Sequence, residues 1–145
     1  MKFSTLTFFS MLLLMACSSS LKFTSKIKQK VYPGRHTEKI YTNYVLEFSV
    51  DTDEIISIDS IHVFYERQCY KINRYLLKKE KSARYIKNEI QKGNYTLQLP
   101  LKEKNSVVTP HCKNKKGEVI IHYKEGNISK EILLNNFIAE IKTKR

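Results

Sequence analysis

The chain predicts an all-β sandwich of about seven to nine strands. Segments alternate apolar and polar residues at period two, they are rich in β-branched and aromatic side chains, and turn residues separate them at short intervals. Tyr44, Leu46, Phe48 and Val50 alternate with Val45, Glu47 and Ser49, which is the period of a half-buried strand, and Asp51-Thr52-Asp53-Glu54 supplies the next turn. Residues 55–65 follow, with Ile56 and Ile58 on one phase and Ile61, Val63 and Tyr65 on the other. The switch at Asp59-Ser60 predicts a bulge or bend.

Further along, Gly93-Asn94-Tyr95-Thr96-Leu97-Gln98-Leu99 alternates through Tyr95, Leu97 and Leu99, and Pro100 restricts that strand to an end or edge position. The phrase resembles the Gly-x-Tyr-x-Leu start of a late strand in immunoglobulin-like domains, which implies an immunoglobulin-like sandwich. Residues 119–123, the turn Lys124-Glu125-Gly126-Asn127 and residues 128–134 read as a hairpin, with a last short strand over 137–141. Residues 73–92 are heavily charged and admit two readings. One is a strand at 70–77 followed by a loop; the other is an amphipathic helix over Leu76, Ala83, Ile86 and Ile90. We favour strand and loop.

Ahead of these segments stands a different texture. Met1-Lys2 is followed by a mainly apolar run to Met15, then Ala16-Cys17-Ser18-Ser19-Ser20. This is the pattern of a secretory signal: a basic start, a short apolar core and a small residue before the cut. The apolar run is shorter than the ~20 residues that a membrane-spanning helix needs. Leu14-Met15-Ala16-Cys17 resembles the lipobox of bacterial lipoproteins, with Met15 a mild departure from the small or branched residues usual there. The resemblance implies cleavage before Cys17, a diacylglycerol thioether on its sulfur and acylation, commonly by palmitate, of its amino group. Cys17 is thus the expected lipidation site. The resulting organisation is a signal peptide with a signal helix at 1–16, a flexible lipidated tether at 17–30 and a sandwich domain at 31–145. Val31-Tyr32-Pro33-Gly34-Arg35 followed by Tyr41-Thr42-x-Tyr44 is similar to small lipoproteins of Bacteroidota-type bacteria, which implies a β-sandwich on a lipid tether and no particular activity.

Removing residues 1–16 takes away one charge, Lys2, and leaves 129 residues with a net charge of +11. That is one domain's worth of chain, long enough to bury a core. The charge favours anionic partners through long-range field. In an envelope these are anionic lipid, lipopolysaccharide or acidic polymer; an exported protein rarely meets nucleic acid, and none is expected as partner. The residue after Cys17 is not the aspartate that retains lipoproteins at the inner membrane. The expected location is therefore the outer membrane, facing the periplasm.

With Cys17 assigned to lipid, Cys69 and Cys112 remain in an oxidising compartment, and pairing is the economical reading. Of the histidines, His62 and His122 read as surface residues on strand faces, and His111-Cys112 is poor spacing for a tetrahedral metal site. No metal or cofactor is expected. Nucleophile motifs and phosphate-cradling glycine loops are absent, Asp51 and Asp53 read as a solvated turn, and no catalytic residue is assigned. The strongest functional feature is a basic-aromatic stretch in which Tyr70, Tyr75 and Tyr85 lie among Lys71, Arg74, Lys78, Lys79, Lys81, Arg84 and Lys87. Cations beside aromatic rings can hold anionic sugars or head groups by charge and stacking. The expected function is a non-enzymatic binding or structural module of the envelope for anionic components. The alternative is a small periplasmic inhibitor of a hydrolase, similar to lysozyme inhibitors, against which the basic charge counts.

Overall fold

Two rows of alternating apolar residues bury their shared face only when sheets stack, and this chain folds accordingly. The computed structural model describes residues 19–82, 84–110, 112 and 117–145. The signal peptide at 1–16, Cys17 and His111 lie outside the described residues. The described strands are β1 (Leu21–Tyr32), β2 (Tyr41–Val50), β3 (Ile56–Tyr65), β4 (Gln68–Ile72), β5 (Leu76–Lys79), β6 (Tyr85–Ile86), β7 (Glu89–Ile90), β8 (Gly93–Leu101), β9 (Ser106–Val108), β10 (Val119–Glu125), β11 (Ile128–Leu134) and β12 (Ile138–Thr143).

The first sheet runs β12-β1-β2-β8-β5-β6 and the second β11-β10-β3-β4-β9, with β7 paired to β3. Neighbours are antiparallel except β1 and β12, which run parallel. The protein is thus all-β in two sheets, a β-sandwich. Among the described residues, 73–92 hold β5, β6 and β7 and no helix, but the strand expected at 70–77 is corrected: β4 ends at Ile72, and β5 starts at Leu76 in the other sheet. The strand count exceeds the expected seven to nine because four strands of two to four residues, β5, β6, β7 and β9, are too short to show a period.

Between the sheets, Leu46 and Phe48 of β2 and Leu97 and Leu99 of β8 meet Ile61 and Val63 of β3 and Val119 and Ile121 of β10, all buried. Each such side chain contributes about 1.5–3 kcal/mol through apolar area removed from water. The expected phase switch in β3 is a bulge: His122 pairs with Ser60 and Tyr123 with Ile58, leaving Asp59 without a partner in the ladder. Tyr95 ties the start of β8 to the preceding turn, its hydroxyl donating to the Gln91 carbonyl (2.7 Å) and accepting from the Gln91 N–H (3.2 Å).

The tether expected over 17–30 is corrected by β1. From Leu21 onward the chain is a twelve-residue strand between β2 and β12, and the fold starts about ten residues earlier than expected. A register shift between Phe23 and Ser25 hid it. Before the shift Leu21 and Phe23 lie opposite Val50 and Phe48, on the core side; beyond it Lys26, Lys28 and Lys30 lie opposite Leu46, Tyr44 and Thr42. The lysines on the core-side face reach its rim. Lys26 Nζ donates to the Asn135 carbonyl (2.6 Å), and Lys28 Nζ lies 3.6 Å from Glu118 and over the rings of Tyr44 and Tyr65.

Cys69 and Cys112 form a disulfide with their Cα atoms 5.7 Å apart. With Ile120 they make a small second cluster of buried residues. His62 corrects the reading of both strand histidines as surface residues: it is only 7% exposed, its ring edge-on to that of His122 with centroids 5.6 Å apart. His122 Nδ1 in turn lies 3.3 Å from Glu131.

Candidate functional site

Register alone assembles the outer face of the first sheet at the end where β1 finishes. Val31 pairs with Tyr41 across β1 and β2 and with Lys142 across β1 and β12. Asn43 pairs with Pro100 across β2 and β8, and Gln98 with Leu76 across β8 and β5. Paired residues share a face, so five strands contribute to one surface. Two loops wall it. Arg74 and Tyr75 precede β5, Lys102 and Asn105 follow β8, and the loops are tied where the N–H groups of Asn73 and Arg74 donate to the Asn105 carbonyl (2.7 and 3.2 Å).

The chain's last residues close the third side. Lys144 N–H donates to the Tyr32 carbonyl (2.9 Å), and its own carbonyl passes so near Gly34 that an added Cβ would sit 2.7 Å away. Glycine is what lets the two backbones approach. These walls enclose a cleft of about 400 Å³.

Its charge is one-sided. Arg74, Lys102, Lys142 and Lys144 line it, and no carboxylate does. None of the four forms an ion pair among the described residues. Lys102 Nζ stands 4.1 Å and Lys144 Nζ 5.7 Å from the centroid of the Tyr41 ring, which gathers both cations at one aromatic ring. Tyr75 is half-buried, and burial raises its pKa, so its hydroxyl stays neutral.

At the floor, Asn43 is 6% exposed and donates from Nδ2 to Gln29 Oε1 (3.5 Å), while its Oδ1 is buried with no partner. A buried acceptor without a donor costs about 1–3 kcal/mol, which a ligand hydroxyl would recover.

No family model, curated protein or solved structure matches the chain. The site is therefore judged on its chemistry. Of the residues singled out in the sequence, Arg74 and Tyr75 line this cleft. Tyr70 belongs to the other sheet, where its hydroxyl donates to Gln68 Oε1 (2.8 Å) and it borders a second hollow of about 550 Å³ that also contains Glu66 and Glu103. Lys78 and Lys79 lie on β5, Lys81 in the following turn, and Arg84 and Tyr85 at β6, where Tyr85 is 63% exposed. The basic-aromatic stretch is thus spread over two sheets and a hairpin.

Sequence reasoning missed Asn43, Lys102, Lys142 and Lys144. Lys142-Thr143-Lys144-Arg145 was visible as a basic terminus, but nothing in the linear order joins it to Asn43 or Lys102. Among the described residues no group of three His, Cys, Asp or Glu could hold a metal.

Proposed function

We propose that the protein is a lipid-anchored, non-enzymatic binding module of the cell envelope that holds anionic envelope components in the cleft on the outer face of its first sheet. The observation that carries this reading is the set of four cations around a concave wall with no carboxylate among them. A solvated lysine surface needs neither concavity nor exclusion of acidic residues. The lipobox-like Leu14-Met15-Ala16-Cys17 supports an anchor at Cys17, and the absence of an aspartate after it supports the outer membrane, facing the periplasm. The two-sheet architecture is compatible with an immunoglobulin-like arrangement.

Binding of the protein to lipopolysaccharide, peptidoglycan and anionic vesicles across a salt series tests the reading. The Debye length falls from about 10 Å at 0.1 M to about 3 Å at 1 M, so affinity must fall with salt. Joint substitution Lys102→Gln, Lys142→Gln and Lys144→Gln is expected to lower both the affinity at low salt and its salt dependence. Unchanged binding by that variant would remove the cleft from the function. Capture of a single hydrolase, with no anion bound, would favour the inhibitor.

A further inference from the structure

The cleft is furnished for more than a point charge. A bare anion is satisfied by cations and N–H donors, yet the floor presents an acceptor, Asn43 Oδ1, that is buried and has no partner. Around it stand the amides of Gln98 and Asn105 and the ring of Tyr41. Hydroxyl donors, an apolar ring face and a negative group are what such a wall complements, and acidic sugars, which an envelope presents, carry all three. A cleft of about 400 Å³ is also of small-ligand size.

Position in the fold separates this ligand from the surface of the anchoring membrane. Cys17 is four residues before Leu21, so it lies within about 14 Å of the start of β1 even with the chain fully extended. The chain is held there: the Ser20 carbonyl accepts from Asp51 N–H (3.2 Å), and the Ser20 hydroxyl donates to Glu125. Val31, at the cleft, is ten residues further along the same strand, which is about 33 Å at the rise of a β-strand. The turns at the Leu21 end carry Asp51, Asp53, Glu54 and Glu125, of which Asp51 pairs with Lys92 and Glu125 with Lys130, so that end is mixed in charge where the cleft is uniformly basic.

We propose that the cleft binds an acidic carbohydrate, a sugar bearing a carboxylate or phosphate, presented from the side of the molecule away from its own anchor. This rests on the binding-module reading above and names the ligand class for that same site. The four cations take the acidic group. Tyr41 packs against a ring face, and Asn43 Oδ1 accepts from a ring hydroxyl. Since Oδ1 is closed to solvent, the hydroxyl reaches it when the side chains around Asn43 shift.

The test titrates the full chain, in a neutral detergent, with trigalacturonate, a hyaluronan tetrasaccharide and the lipid-free phosphorylated core oligosaccharide of lipopolysaccharide. Maltotriose, inorganic phosphate and phosphatidylglycerol vesicles serve as comparisons. At least one acidic oligosaccharide is expected to bind tenfold or more tightly than both maltotriose and phosphate. Lys142→Gln, on the exposed terminal strand, with Lys144→Gln, just past its end, should weaken it at least tenfold with the thermal midpoint unchanged. Asn43→Ser should weaken the oligosaccharide while leaving phosphate binding within twofold. If phosphate or the vesicles bind as tightly as every oligosaccharide, and Asn43→Ser affects all equally, the carbohydrate assignment fails while a general anion-binding module stands. If none of the anions binds, both readings fail.

Discussion

Two polar residues in the interior show how single groups tune this fold. Tyr44 is fully buried, and its hydroxyl faces the carboxylate of Glu118, whose Oε2 is likewise closed to solvent. Burial, reinforced by the negative charge of Glu118, pushes the Tyr44 pKa far above its ordinary value, so the hydroxyl is never ionised in the folded protein. Its ring, by contrast, packs edge-on to Phe137 with centroids 5.1 Å apart. Tyr44→Phe is therefore expected to cost about 1–3 kcal/mol, because it leaves the buried Glu118 Oε2 without the hydroxyl it faces, whereas Tyr44→Ala should cost about 3–5 kcal/mol through the cavity it leaves. Urea denaturation of the two variants checks this.

Glu125 behaves oppositely: Lys130 and then Ser20 hydrogen-bond its carboxylate and hold its pKa below the ordinary 4.5. A depressed pKa means that the contribution is fully present above about 4.5 and is lost as pH falls through the lower folded value. Glu125→Gln should thus reduce the stability difference between pH 7 and pH 3, measured as the shift in urea midpoint between the two.

Among the elements, β1 decides where the folded unit begins. It is hydrogen-bonded on both sides, to β2 and to β12, so removing it would open the first sheet and release the strand that supplies Lys142. A chain starting at residue 33 is expected to show no cooperative thermal transition, while one starting at Ser19 should melt as a unit; circular dichroism distinguishes them. The disulfide is a second such element. It closes a loop of 43 residues, and Cys69→Ser with Cys112→Ser should lower stability by about 4 kcal/mol or less, read from urea midpoints under oxidising conditions.

Legibility followed the period of each strand, and the strand expected at 70–77, which keeps no clear period, is split between β4 and β5 of different sheets. β2, β8 and the β10–β11 hairpin could be read because each keeps one phase between recognisable turns. β1 changes phase at its register shift and places lysines on the core-side face, so its sequence looks like a solvated tether. The site was less legible still. Its side chains come from five strands and two loops that only register brings together, and of the cations and tyrosines singled out for their composition just Arg74 and Tyr75 belong to it.

At the scale of the whole molecule, one strand separates two ends of different character. The chain starts β1 beside the turns at 51–55 and 125–127, and the cleft lies at the strand's far end among Lys102, Lys142 and Lys144. If Cys17 carries the lipid, the leash from lipid to fold is short, and the domain stands on its membrane with the cleft outward. Anchorage at one end and binding at the other is the central property proposed for this protein. Its most direct measurement is fluorescence quenching of the lipidated protein inserted in vesicles that contain a head-group quencher, with a fluorophore at residue 53 in one sample and at residue 104 in another. Strong quenching at 53 with little at 104 is the expected result. Equal quenching at both positions, or stronger quenching at 104, would contradict it.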